Sequence, residues 1–324
     1  MNLNPKLFEK DVEQVPTRNG YGEALMELGE KDPRVVVLTG DLAESTRVLD
    51  FGKKYPDRFF ECGVAEQNMT GIAAGLSASG KLPFISSYAV FSPGRAWDQV
   101  RVSIAYSNLP VKIAGAHTGV SVGPDGATHQ ALEDIAIMRV LPNMTVVVPC
   151  DSIETKKATL ASIAIPGPYY FRFAREKTPV ITTAETSFQV GKAEIFAEYG
   201  HDCAIVACGP LVYQALMAAK ELNDEGVKVT VVNNHTIKPM DVGTIMKVAR
   251  DTGAVVTVEE HQTMAGMGSA VCEVLSANYP VPVEMVGMPN TFGQSGEPNE
   301  LLEKYGMSVS KIKEAVKKVM ERKK

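Results

Sequence analysis

The sequence predicts an α/β chain: a doubly wound, mostly parallel sheet followed by a smaller α/β domain. Three observations carry this. Short apolar runs such as RVVVLTG, VKIAGA and MTVVVP alternate with segments of helical spacing. The alternation lapses in a Thr-rich stretch, residues 176–190. It then resumes as a second, shorter series.

Residues 19–31 put apolar groups at helical spacing, and RVVVLTG follows as a buried strand ending at Gly40. Residues 66–79 form a helix rich in small residues, which lets it lie close to a neighbour or a second subunit. KLPFISS is a strand, a helix lies around 94–106, and VKIAGA is a strand that ends at His117. After a glycine-rich loop come a helix from about 130, the strand MTVVVP, a helix from 152 and the strand PYYFRFA. The second series reads AEIFAEY, CAIVACG, a helix over 210–224, VKVTVVN, a helix near 241–250, AVVTVEE, and helices near 267–277 and 309–321. The division expected is 1–178, a linker over 179–190, and 191–324.

With 324 residues, 45% of them hydrophobic and 22% charged, each part has enough material for its own core. The net charge of -5 argues against nucleic acid or an anionic membrane as partner. An anionic ligand therefore needs a local basic cluster. Cys62, Cys150, Cys203, Cys208 and Cys272 show no metal-site spacing and read as reduced core thiols. The N-terminus has no apolar signal core, and no apolar run approaches the roughly 18 residues of a membrane span, so a cytoplasmic location is expected.

Ligands gather beyond the C-terminal ends of strands in such sheets. Four segments fall there: GDLAEST, FFECGVAEQNM, the loop from His117 to His129, and FRFAREKTP. The loop HTGVSVGPDGATHQ is the most informative, since His117, Asp125 and His129 in one flexible loop suit proton transfer and sugar hydroxyl binding. A polar surface turn is the bland alternative, and metal binding is disfavoured by the wide spacing. Taken singly, Glu66 is a charge at a helix start, Arg18, Arg172 and Arg175 are surface charges, Ser45 and Thr46 are helix caps, and Tyr88, Phe91 and Trp97 are core aromatics. His201, His235 and His261 read as structural.

Taken together, these segments resemble the C-terminal half of a transketolase, from about Thr17 to the end. GPDGATHQALED with His117 before it is the strongest match, followed by GVAEQNM, TGDLAEST and PTR, and in the second part by VVNNHTIKPMD and VTVEEHQTMAGMGSAV. The resemblance implies a transferase that moves a two-carbon ketol unit between sugar phosphates with thiamine diphosphate, as in the pentose phosphate pathway. It implies that Glu66 hydrogen-bonds the pyrimidine ring nitrogen and favours the imino form that removes the thiazolium proton, a job for a carboxyl that carries or shares a proton. Tyr88 and Phe91 would stack on that ring, and Asp41 would lie near the cofactor. Arg18, Ser45, His117 and Arg175 would hold the sugar phosphate, with Arg172 a weaker alternative to Arg175. Asp125 would read a donor hydroxyl, and His129 would bond the reacting carbonyl or hydroxyl and act in catalysis.

The family's Mg²⁺-binding GDG motif is absent, so no metal is expected on this chain. The diphosphate and Mg²⁺ are expected on a partner, an N-terminal transketolase subunit, in a heterotetramer whose halves also self-associate. The chain alone is then expected to be inactive, and its last domain to support the dimer. Deoxyxylulose-phosphate synthases, the β subunits of 2-oxoacid dehydrogenases, split transketolases for modified sugars and a non-catalytic partner subunit are the rival readings.

Overall fold

Val35–Thr39, Lys112–Ala116, Cys203–Ala207 and Val229–Asn233 are buried at every residue. Such runs suit strands covered on both faces. The computed structural model, which describes residues 2–323, places them inside two sheets.

The first unit runs β1 (Gln14–Pro16), α1 (Thr17–Lys31), β2 (Val35–Thr39), α2 (Leu49–Lys54), β3 (Phe59–Glu61), α3 (Glu66–Ala78), β4 (Leu82–Tyr88), α4 (Trp97–Gln99), β5 (Lys112–Ala116), α5 (Asp134–Arg139), β6 (Thr145–Val147), α6 (Ser152–Ser162), β7 (Tyr169–Arg172) and β8 (Lys177–Pro179). The second runs β9 (Glu194–Glu198), β10 (Cys203–Ala207), α7 (Val212–Asp224), β11 (Val229–Asn233), β12 (Thr236–Lys238), α8 (Val242–Thr252), β13 (Val255–Gln262), α9 (Met267–Asn278), β14 (Val283–Met288), α10 (Pro298–Lys304) and α11 (Val309–Glu321). The first sheet has the order β12-β6-β7-β5-β4-β2-β3, and its strands are parallel except β12. The second has the order β14-β13-β10-β11-β9, parallel except β9. β1 and β8 pair by themselves, antiparallel.

α1 buries Tyr21, Leu25 and Leu28 along one stripe, and the Tyr21 ring packs on Phe84, Phe171 and Phe173 of the sheet. Each such side chain stabilises the fold by about 1.5–3 kcal/mol. α11 does the same for the second sheet through Ile312, Val316 and Val319. Its basic residues Lys313, Lys317 and Lys318 face Glu221, Glu225 and Glu284.

Several expectations need adjustment. The helix around 94–106 is the short α4 followed by π-helical turns over Val100–Tyr106. The helix expected from about 130 starts at Asp134, because Ala131 bridges to Thr118 and accepts from Gly119 N at 2.9 Å, so this segment pairs with the preceding loop instead of coiling. AEIFAEY is an antiparallel edge strand, and HTIK becomes β12, which leaves its own unit to edge the first sheet. The stretch 179–190 has little regular structure but is strapped down: Asp151, the N-cap of α6, also accepts from Ile181 N, Thr182 N and Thr182 Oγ1. Thr46 caps no helix; its hydroxyl donates to Leu42 O. Cys150, Cys203 and Cys208 are core thiols, whereas Cys62 and Cys272 are only half-buried. Among the described residues no helix is long and apolar enough to cross a membrane.

Candidate active site

Parallel strands deliver their C-terminal ends to one edge of the sheet. Gly40 and Asp41 follow β2, Glu66 opens α3 after β3, Tyr88 closes β4, His117 follows β5, and Arg175 lies past β7. Asp41, Arg47 and His117 have φ of 59°, 64° and 54°. Non-glycine residues held there store about 1–3 kcal/mol each, and such strain clusters at functional sites.

At one end stands Glu66, 1% exposed. Its Oε2 accepts from Arg95 Nη1 at 2.6 Å, while its Oε1 has no hydrogen-bond partner. The other buried glutamates among the described residues differ. Glu154 accepts from Cys150 N and Asn233 Nδ2, Glu259 from Met267 N and Gly268 N, and Glu260 from Ser121 N and Oγ. A buried carboxylate oxygen without a donor is costly, and Asp134 at the start of α5 has one too, but walled in by Tyr170 and Arg172; at Glu66 the free oxygen lies next to partly open aromatic rings, which makes it a candidate place for an external group. The carboxyl expected to carry or share a proton is thus ion-paired within this chain. Arg95 also lies over the Phe91 ring, 5.0 Å from its centroid.

Phe91 stacks near Tyr88 with centroids 5.8 Å apart, and Tyr88 stacks on His117 at 3.8 Å. His129 meets both aromatic rings edge-on, at 5.5 Å from Phe91 and 6.1 Å from Tyr88. Tyr88 and Phe91 are therefore partly open faces at the site rather than core aromatics.

At the other end His117 Nε2 lies 3.4 Å from Arg18 Nη1, which also donates to Ser45 O at 2.8 Å. An arginine can only donate, so Nε2 accepts and the imidazole proton sits on Nδ1, which has no partner. Burial, then the charges of Arg18 and Arg175, push His117 down to about 3. Burial also lowers Arg18, aided by Arg47 and then Arg175. These are the marks of a concentrated positive field built for an anion. Arg47 comes close because Gly22 has no side chain: a Cβ there would lie 2.7 Å from Arg47 O.

Arg175 donates to Val122 O at 3.1 Å and to Glu176 at 2.7 Å. Asp125 is exposed at the end of the turn Val120–Asp125, and Asp41 is exposed with its N–H donating to Glu61. Ser45 contributes its carbonyl to Arg18, and no bond of its hydroxyl is seen. Arg172 needs correction. It is 2% exposed, donates from Nε to Asp134 at 2.8 Å and from Nη2 to Ala131 O and Glu260 O, and is neither a surface charge nor available to substrate.

Arg47 and Arg95 were missed as site residues. Arg47 stands two residues after Ser45 in GDLAESTR, so proximity was a usable signal; Arg95 had none, being read only as part of a helix. The crevice of about 450 Å³ between the two units takes none of the predicted site residues. Among the described residues no group of three His, Cys, Asp or Glu could hold a metal.

The family description "Transketolase, pyrimidine binding domain" matches residues 13–180, and "Transketolase, C-terminal domain" matches 191–312. The chain belongs to the transketolase family. Some relatives within that family are matched along nearly their whole length, while the chain spans about half the length of others. A 6-deoxy-6-sulfo-D-fructose transketolase subunit of a Clostridium species is 41% identical, over 98% of each chain. An apulose-4-phosphate transketolase subunit of Phocaeicola vulgatus is 40% identical, over 90% of this chain and 94% of its own. A solved split gene transketolase, described as an inactive beta4 tetramer, is 45% identical with a TM-score of 0.88, covering 96% of this chain and all of its own.

Proposed function

We propose that this chain is the pyrimidine-binding and C-terminal subunit of a two-chain transketolase that uses thiamine diphosphate to move a two-carbon ketol unit between sugar phosphates. The observation that carries the reading is the unpartnered Oε1 of buried Glu66, beside the open faces of Tyr88 and Phe91 and on the same sheet edge as the arginine cluster. A ring that is flat, apolar on its faces and polar at its edge fits that cradle. When bound, the cofactor supplies an acidic thiazolium carbon suited to cleaving and forming bonds next to a carbonyl. Glu66 would share a proton in a hydrogen bond with its pyrimidine nitrogen, Tyr88 and Phe91 would cover the ring and exclude water, and Asp41 would lie nearby. Arg18, His117, Arg175 and Ser45 hold the sugar phosphate. Asp125 reads a hydroxyl, and His129 hydrogen-bonds the reacting oxygen and moves its proton. The divisions 1–178, 179–190 and 191–324, Mg²⁺ on an N-terminal partner chain, self-association and a cytoplasmic location belong to the same reading.

The split-gene relative, an inactive assembly of one chain type, supports dependence on a partner. The relatives named for sulfofructose and apulose phosphate favour a second reading, a modified sugar as donor. The test mixes this chain with a diphosphate-binding partner chain, thiamine diphosphate, Mg²⁺, xylulose 5-phosphate and ribose 5-phosphate, each chain alone serving as control. Sedoheptulose 7-phosphate from the mixture only is the expected result. Turnover of 6-deoxy-6-sulfofructose or apulose 4-phosphate instead selects the second reading. No turnover of any ketose by the mixture overturns both.

A further inference from the structure

The second unit touches the loop behind the site through Glu260, which with Ser121 lines the crevice between the two units. Glu260, on β13, is 3% exposed and directs its carboxylate at the loop that carries His117 and Asp125. Its Oε1 accepts from Ser121 N at 2.6 Å and its Oε2 from Ser121 Oγ at 3.1 Å. The fit is close on the loop side as well. Gly119 has φ of 80°, and a Cβ there would sit 2.2 Å from Glu260 Cδ, so the loop is shaped around this carboxylate. A carboxylate gripping a backbone N–H makes one of the stronger hydrogen bonds available.

Ser121 leads directly to the substrate groups. Its neighbour Val122 offers the carbonyl that receives Arg175, and the turn Val120–Asp125 to which both belong ends at Asp125. The same strand holds the segment that follows the loop: Glu260 O accepts from Arg172, which also donates to Ala131 O at 3.2 Å, and Gln262 N donates to Leu132 O at 2.9 Å. Gln130 Nε2 joins Val120 O at 3.1 Å to Gln294 O of the second unit at 2.9 Å. A loop with three left-handed glycines, Gly119, Gly123 and Gly126, has a large conformational freedom to lose, and these contacts remove it before substrate arrives.

We propose that Glu260 is a positioning residue that, through Ser121, holds the His117–His129 loop and the Arg175 anchor in the geometry that binds the substrate anion. The second unit thereby supports the site from behind. The binding arm of the test rests on the sugar-phosphate reading; the exchange arm does not.

In the exchange arm, hydrogen exchange in the full chain is followed in peptides covering 117–130 and, as reference, β10 and β11. Glu260→Ala is expected to speed exchange at Ser121 and Val122 about ten-fold or more, with the reference strands unchanged. Glu260→Gln keeps an acceptor for the N–H and a donor for the hydroxyl, and is expected to recover most of the protection. In the assembled enzyme Glu260→Ala should raise KM for the sugar phosphate about ten-fold and change kcat far less, with Gln again intermediate. If Glu260→Ala also loosens β10 and β11, Ser121→Ala decides, because it removes only the hydroxyl bond: faster loop exchange and a two- to three-fold rise in KM are then expected. Loop exchange within two-fold of the unaltered chain in both Glu260→Ala and Ser121→Ala overturns the proposal. Altered loop exchange in a mixture that turns over no sugar phosphate leaves Glu260 as the loop's anchor and removes only the functional reading.

Discussion

Glu66 and Glu260 are almost equally buried, at 1% and 3% exposed, yet their oxygens are used differently. Glu260 commits both to Ser121, a residue of its own chain. Glu66 gives one to Arg95, whose side chain is 47% exposed, and has no partner for the other. The same contrast separates the arginines. Arg172, with Asp134, is 2% exposed and directs its donors at internal acceptors. Arg18 and Arg175 stand at the open edge, and their charges add to burial in depressing the neighbouring His117. Asp134 also has one oxygen without a partner, but buried Tyr170 and Arg172 wall it in, whereas the free oxygen of Glu66 lies beside the partly open rings of Tyr88 and Phe91; an unpartnered oxygen points to a ligand only where the site is open to one.

Glu66→Gln is the sharpest way to break that distinction. The assembled enzyme should lose about 100-fold or more in kcat, within the range for a group that handles a proton in the reaction. Its unfolding free energy in urea should change by no more than about 1 kcal/mol, since a neutral isostere removes a buried charge. A kcat within a few-fold of the unaltered enzyme would end the role of Glu66.

Arg172→Met tests the structural side. It strands Asp134, which Tyr170 also contacts at 2.7 Å, and should cost about 3–5 kcal/mol of unfolding free energy. Arg175→Met should do the reverse: KM for sugar phosphate rising about ten-fold, with stability altered by about 0.5 kcal/mol or less. Equal stability losses from the two substitutions would erase the contrast.

A further effect is on pH dependence. His117 is pushed down to about 3 from its ordinary 6.5, so the unfolded chain binds the proton first. Its contribution to stability is complete above 6.5 and is lost as the pH falls toward 3. Glu154, pushed up to about 7 by burial and then by Asp151, acts in the opposite sense: its contribution is complete below its ordinary 4.5 and is lost as the pH rises through about 7. His117→Gln should make the acid side of the stability curve less steep, with His235, also pushed down to about 3 by burial, keeping part of that slope and Glu154 still lowering stability as the pH rises from 4.5 to 7. An unchanged acid slope counts against a neutral, buried His117.

Much of this was legible because it depended on local pattern. Uninterrupted apolar runs fixed the central strands, and small and apolar residues at helical spacing fixed α1 and α3, since burial on one or both faces selects those patterns directly. The loop from His117 to His129 stood out by its residue types, and alternation of strand and helix put it at a strand's C-terminal end. β12 escaped because its partner is a strand of the other unit, and three residues carry no periodicity of their own.

By itself, then, the sequence determined the fold class, the alternation of the central strands and long helices, the sheet edge that carries the candidate site, and its resemblance to the transketolase family, while short elements such as β3, β12, β14 and α10 were not read. Only the tertiary structure decided which charges are internal. Arg172 and Arg175 differ little as letters, but one meets Asp134 across 38 positions and the other does not. Glu66 finds Arg95 across 29 positions and Glu260 finds Ser121 across 139. Whether a charge holds the fold or waits for a ligand depends on the partners that packing brings to it, and those partners lie far beyond the reach of local sequence pattern.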